Sequence, residues 1–350
     1  MKKFAYFLGI MVVIFISGAF TGKEKKTFVR KDQLSDYGFF TGKLADLKPA
    51  DNVFPYQLNS ALFSNYAEKA RFITMPPGQS AIYNPDSVFD MPVGTVLIKN
   101  FYYPNDFRDA KKGRRILETR LLVHEAEGWT ALPYIWNDEQ TDAYYDVAGD
   151  AKSIQYIDSK GKKVSTTYLV PNKNQCKGCH AVGDRIIPIG PAARHLNTSI
   201  ALANGKTPQL SYWKEHGLLN ELPGDQVPAN SDYTDPSTGD LNQRARAYLD
   251  INCGHCHSAK GAANTSGLYL DIHNNNPTAL GIMKSPVAAG RGSGNLDFDI
   301  VPGHADKSIL IYRMNTTDPG IAMPEIGREQ IHAEGLALLR EWINKMKPAP

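Results

Sequence analysis

The four cysteines of this 350-residue chain fall into two pairs, Cys176/Cys179 and Cys253/Cys256, and each pair is followed at once by a histidine, His180 and His257. Two thiols separated by two residues on one helical turn can reach the two vinyl groups on one edge of a haem. The next residue then carries its imidazole under the ring, as a proximal iron ligand. A redox-active dithiol or a zinc site built from both pairs would use the same cysteines. Neither needs a histidine directly after each pair, and a dithiol should follow a strand in a βαβ unit, of which the sequence gives no sign. The expectation is two haem c groups, each with its iron. Cys176, Cys179, Cys253 and Cys256 hold them covalently, and His180 and His257 ligate the metal.

The start of the chain agrees with export. Lys2 and Lys3 precede a continuous apolar run from Phe4 to Ile16, and Ser17-Gly18-Ala19 offers small residues before Phe20, the layout of a secretory leader. The run is shorter than the roughly 20 residues of a spanning helix. No cysteine follows it to take a lipid, and no second run is long enough to span. Residues 1–19 are therefore expected to be removed near Ala19, leaving a periplasmic chain with no membrane span. Two units of the formal charge of +3 belong to Lys2 and Lys3. No basic stripe remains, which argues against nucleic acid as a partner.

Around the second motif the pattern is helical. Asp240 is placed to cap a helix over Leu241–Leu249, with Leu241, Ala245, Tyr248 and Leu249 on one face, and this helix leads into Cys253. Arg328 to Lys347 reads as a closing amphipathic helix with Ile331, Gly335, Leu338, Leu339, Trp342 and Met346 inward, Gly335 allowing a close helix crossing. Ser308–Met314 reads as a short third helix. Met323, in the loop Ile321-Ala322-Met323-Pro324, lies where a thioether could be the sixth iron ligand of the second haem. Core packing is the competing role for Met323, and Met314 falls within a helical stripe.

The region before residue 200 has a different texture. Val93–Tyr103, Ile116–His124, Trp129–Trp136, Ile154–Ile157 and Val164–Val170 are rich in β-branched and aromatic residues, and Asp158-Ser159-Lys160-Gly161 reads as a hairpin turn. Residues 201–239, with many Gly, Pro, Asn, Asp and Ser, read as a connector. The sixth position of the first haem is either open or filled by His124, Met75, Met91 or His195.

Residues 240–350 resemble a class I cytochrome c domain, with helix, haem motif, Met323 loop and final helix in order. Phe89-Asp90-Met91-Pro92-Val93-Gly94-Thr95-Val96, Tyr134–Ala143 and Val170–Cys176 resemble a bacterial family of dihaem c-type cytochromes known mainly from sequence, a likeness running from about residue 34 to 345. The N-terminal part is more loosely similar to the cytochrome P460 group, whose members leave one haem face open. The expected fold is α+β: an antiparallel β-rich haem domain over 20–200, the connector, and an all-α class I cytochrome c-like domain over 240–350.

Two functions follow as expectations. A carrier of electrons between redox protein partners needs no catalytic acid or base, and none stands out. An enzyme acting on peroxide, nitric oxide or hydroxylamine would need an open first haem, with the second as relay and Arg120, His124 and Glu125 as first candidates for the pocket. The carrier is preferred. Replacing Cys253→Ala together with Cys256→Ala is expected to leave one haem per chain. Haem counting by absorbance checks this, and two surviving haems would sink the attachment scheme.

Overall fold

The computed structural model describes residues 28–347 apart from 184, 204 and 225; the leader at 1–19 lies outside the described residues. The chain is predominantly β. Two short strands, β1 (Phe40–Thr41) and β2 (Lys48–Pro49), pair with each other ahead of the main sheet. That sheet has six antiparallel strands in chain order: β3 (Phe54–Tyr56), β4 (Glu68–Thr74), β5 (Val96–Pro104), β6 (Arg114–Glu125), β7 (Gly128–Trp136) and β8 (Ala143–Tyr145). A hairpin follows, β9 (Asp150–Ile157) and β10 (Lys163–Val170), turned at Asp158, whose carbonyl accepts from Gly161 N at 3.0 Å.

Helix α1 (Lys173–His180) carries the first motif. Its start is fixed by a capping box in which Asn172 accepts from Gln175 N and the Gln175 side chain accepts from Asn172 N, satisfying two otherwise orphaned donors. After it come the small pair β11 (Ala181–Val182) and β12 (Arg185–Ile186), α2 (Ala193–Leu196), the pair β13 (Ser199–Leu202) and β14 (Gly205–Pro208), and α3 (Gln209–Glu215). The remaining helices are α4 (Leu241–Leu249), α5 (Ile309–Met314) and α6 (Ala333–Lys345). None among the described residues is long and apolar enough to cross a membrane.

The expected α+β class with an all-α C-terminal domain is corrected by this arrangement. The β-rich N-terminal region is present. From residue 240 onward, however, α4, α5 and α6 are separated by long stretches of turns, and the isolated parallel bridges Ile282↔Ile300 and Phe298↔Ser308 take the place of further helix. The reason is local. Gly267, Gly281, Gly290 and Gly294 all adopt left-handed backbone, which a right-handed helix cannot continue through.

Side chains alternate across the main sheet. One face, with Ile98, Leu121, Val123, Tyr134 and Trp136, packs on Leu34, Phe39, Phe40 and Leu47. The other face is divided. At one end Ile73 and Leu97 join Trp213, Leu210 and Phe89; at the other, Phe101 and Tyr103 meet Tyr156 and Tyr168 of the hairpin. A fourth cluster joins α4 and α6 through Leu249, Leu339, Trp342 and Ile343. Met314 packs against this last cluster, in keeping with its helical stripe.

The C-terminal segment is tied to the sheet by an aromatic group drawn from distant parts of the chain. His332 stacks on Phe63 with centroids 4.2 Å apart, and Tyr66, Tyr233 and Tyr248 surround the pair. Beside it, α4 and α6 cross so closely that a Cβ on Gly335 would collide with the Tyr248 ring. Gly335→Ala is therefore expected to destabilise the protein by about 1–3 kcal/mol, the usual cost of overpacking. Urea unfolding checks this; an unchanged midpoint would mean that the crossing is looser than described.

Candidate functional site

The sequence places Cys179 and Cys256 far apart, but the fold brings them together. The ligating atoms of Cys179, Cys256 and His255 all lie within 4.8 Å of one another. The Cys256 thiol also donates to Gly178 O at 3.4 Å. All four cysteines are free thiols, with Cys176 buried and the others partly so. A hydrogen bond from Cys256, outweighing burial, draws the Cys179 thiol down to about 4, while Cys256 is pushed up.

The two motif histidines are both neutral rings. His180 donates from Nδ1 to Ile187 O at 3.0 Å, which leaves the Nε2 lone pair free. This is the tautomer that metal-binding histidines adopt. Burial lowers its pKa to about 4, so the ring is neutral. His257 is likewise lowered to about 4 by burial, and its Nδ1 lies 3.4 Å from the Ser266 hydroxyl. Gly254, between Cys253 and Cys256, admits the backbone of Asp271: a Cβ there would stand 2.9 Å from Asp271 Cα.

Second-motif geometry is set from α2. The helix α4, capped by Asp240 as its sequence predicts and by Gln243 in return, widens at its end into one π-type turn, Asp250–Gly254, which carries Cys253. Asp250 is almost wholly buried, and its carboxylate accepts from Arg194 Nε at 2.8 Å, His195 Nε2 at 2.9 Å, Asn230 Nδ2 at 2.8 Å and Ile272 N at 3.1 Å. Burial alone would push this carboxyl up; the His195 hydrogen bond and the Arg194 charge overcome it and hold the group well below the carboxylate range. His195 is lowered by burial and so donates as a neutral ring.

Met323 is partly buried on a loop whose backbone is anchored to α5, Met323 N donating to Arg313 O at 3.0 Å. The Arg313 guanidinium bonds Ile321 O at 2.9 Å and lies near enough to His257 to act on its charge. The same loop faces the first motif. A cleft of about 550 Å³ separates Asn172, Asn174, Gln175 and Gly178 from Pro319, Glu325, Ile326 and Arg328, within the range of small-molecule sites.

The four candidates for the sixth ligand of the first haem are engaged elsewhere. Met75 and Met91 are buried in the cluster around Trp213. His124 stacks on Trp129 and donates from Nδ1 to Met91 O at 2.8 Å, and His195 is bound to Asp250. Of the suggested pocket residues, Arg120 forms a two-pronged pair with Glu118, at 2.7 and 2.6 Å, and Glu125 accepts from Thr130. Sequence reading does not single out Lys69, Arg71 or Lys99, and it takes His255 for a surface residue rather than a ligand. His255 in fact stands beside Cys179, with a buried Nδ1 that has no partner among the described residues. Charges on alternate residues in apolar strands, as in Lys69-Ala70-Arg71 and Glu118-Thr119-Arg120, were the available signal for the cations.

No family model, curated protein or solved structure matches this chain. Removing the Asp250 carboxylate would leave Arg194 without its buried partner, so Asp250→Ala is expected to cost about 3–5 kcal/mol, read as a lower denaturation midpoint at pH 7. In the parent protein, stability should fall as pH drops below the normal histidine range. There the unfolded chain takes up protons that buried His195 refuses, and at lower pH Asp250 adds a loss of the same sign. A flat stability profile between pH 7 and 4 would contradict this.

Proposed function

We propose that the protein is a periplasmic dihaem c-type cytochrome that passes electrons between redox protein partners, in keeping with the family it resembles. The observation that carries this reading is the pair of Cys-x-x-Cys-His motifs, each with free thiols and a neutral histidine, meeting at Cys179 and Cys256. The donor set fits two haem c groups: Cys176, Cys179 and His180 would hold one, and Cys253, Cys256 and His257 the other. Met323 is the sixth ligand assigned to the second. Haem iron held between imidazole and thioether changes oxidation state with little rearrangement of its ligands.

The chain's own residues support this use. Ile187 O orients His180, the Asp250 group fixes the turn that carries Cys253, and Arg313 O anchors the Met323 loop. Groups attached at adjoining cysteines are neighbours, which suits a relay through one chain. A second reading, a soft metal ion such as zinc held by Cys179, Cys256 and His255, is favoured by their mutual proximity alone.

Two haems per chain are expected from the pyridine haemochrome spectrum, and Met323→Ala is expected to turn one of them high-spin and lower its potential. An unchanged spectrum and potential would remove Met323 from the ligand set. A purified chain that carries zinc and no haem would overturn the cytochrome reading in favour of the second.

A further inference from the structure

The middle of the divided sheet face, between the Trp213 cluster and the hairpin cluster, is not apolar. Arg71 on β4 is directly opposite Lys99 on β5, and Lys99 is directly opposite Arg120 on β6. Directly opposed residues project from the same face, so three cations stand side by side; like charges in this arrangement repel. Lys69 lies close enough to all three to feel their charge.

The carboxylate of Glu118 lies in this row, and it is taken by Arg120 and by the Tyr168 hydroxyl. Arg71 Nη2 is buried and has no partner among the described residues. Among the described residues the Lys99 ammonium has no hydrogen bond or ion pair, only the face of the Phe101 ring at 4.9 Å. Burial, with Arg71 and Arg120 adding to it, lowers Lys99 to about 7. Half-buried cations without a partner are costly, and the cost is relieved by a bound negative group.

The row also has an address. Lys99 acts on the charges of Cys179 and His180, and Arg120 on that of Cys176, while α1 packs over β7 beside it. Arg120 keeps 29% of its side chain accessible to solvent. We propose that Arg71 and Lys99, assisted by Arg120, form an anion-binding site facing the first Cys-x-x-Cys-His motif, shaped for a carboxylate or an oxyanion of similar size. An arginine fork supplies paired donors and the lysine a point charge. The carboxylate has two sources. One is a propionate of the haem assigned to Cys176 and Cys179, and this source alone rests on the cytochrome reading. The other is a free oxyanion.

The test uses inorganic phosphate as the probe, with chloride at matched ionic strength as control. It compares three full-length chains: the parent, Arg71→Gln/Lys99→Gln, and Cys176→Ala/Cys179→Ala. For a free oxyanion, the parent binds one phosphate, and the Arg71/Lys99 variant binds it at least about ten-fold more weakly, a difference of roughly 1.4 kcal/mol. For a propionate, the haem-loaded parent ignores phosphate and the Cys176/Cys179 variant binds it. The Arg71/Lys99 variant then shows a lower potential at the first haem and an unchanged one at the second. If neither the parent nor the Cys176/Cys179 variant binds phosphate, the site is overturned. A parent that carries no haem but binds phosphate through Arg71 and Lys99 would end the cytochrome reading and leave the anion site standing. Unfolding of the Arg71/Lys99 variant at or above the parent's temperature without phosphate shows that its loss of binding is not a loss of fold.

Discussion

The second motif is positioned by one buried carboxylate. Asp250 collects Arg194 and His195 from α2, Asn230 from the segment before α4, and the backbone of Ile272. A buried acid is tolerated only when its lone pairs are filled, and these come from three separate stretches of chain. Each donor is thereby held in place with respect to the others. The π-type turn that carries Cys253 begins at Asp250 itself, so the position of the motif depends on how completely this one group is satisfied.

Around that centre the contacts are graded from charged to aromatic to apolar. The aromatic group about His332 includes Tyr248 of α4, and at its edge Asn65 and Tyr66 bond Gln330, Ala333 and Glu334. The sheet itself follows ordinary rules of burial on one face. On the other, two apolar clusters flank a strip of cations. Unpaired charge at the centre of a sheet works against stability, so its place beside Cys176 and Cys179 is a feature of a site rather than of a core.

Much of this was legible in the residues. Strands β5, β6, β7, β9 and β10 follow their β-branched and aromatic runs, and α4 begins where Asp240 and Gln243 can cap each other. The last helix starts at Ala333 rather than Arg328, because Gln330 N donates to Asn65 and Ala333 N to the Tyr66 hydroxyl instead of joining a helical turn. The three helices expected after residue 240 are present, but the left-handed glycines before α5 keep the rest of this region from being helical. The meeting of the motifs could not be read at all, since the Cys256–Gly178 contact joins positions 78 residues apart. The cation row was hidden for a related reason. Lys99 looks like an isolated charge until the strand register sets it between Arg71 and Arg120.

The chain-order sheet has a consequence for how the molecule comes together. Every strand from β4 to β8 pairs with the one made just before it, so the sheet closes no loop longer than the connection from Thr74 to Val96. The bonds from Tyr66 and Asn65 to the segment before α6 span 264 residues or more, and the entropy of closing so long a loop must be met before they return anything. The sheet, the hairpin and α1 can be complete while the polypeptide that carries the second motif is still unattached. The two halves of the site are thus held by contacts of very different loop length, and only the second must meet the cost of the long loop.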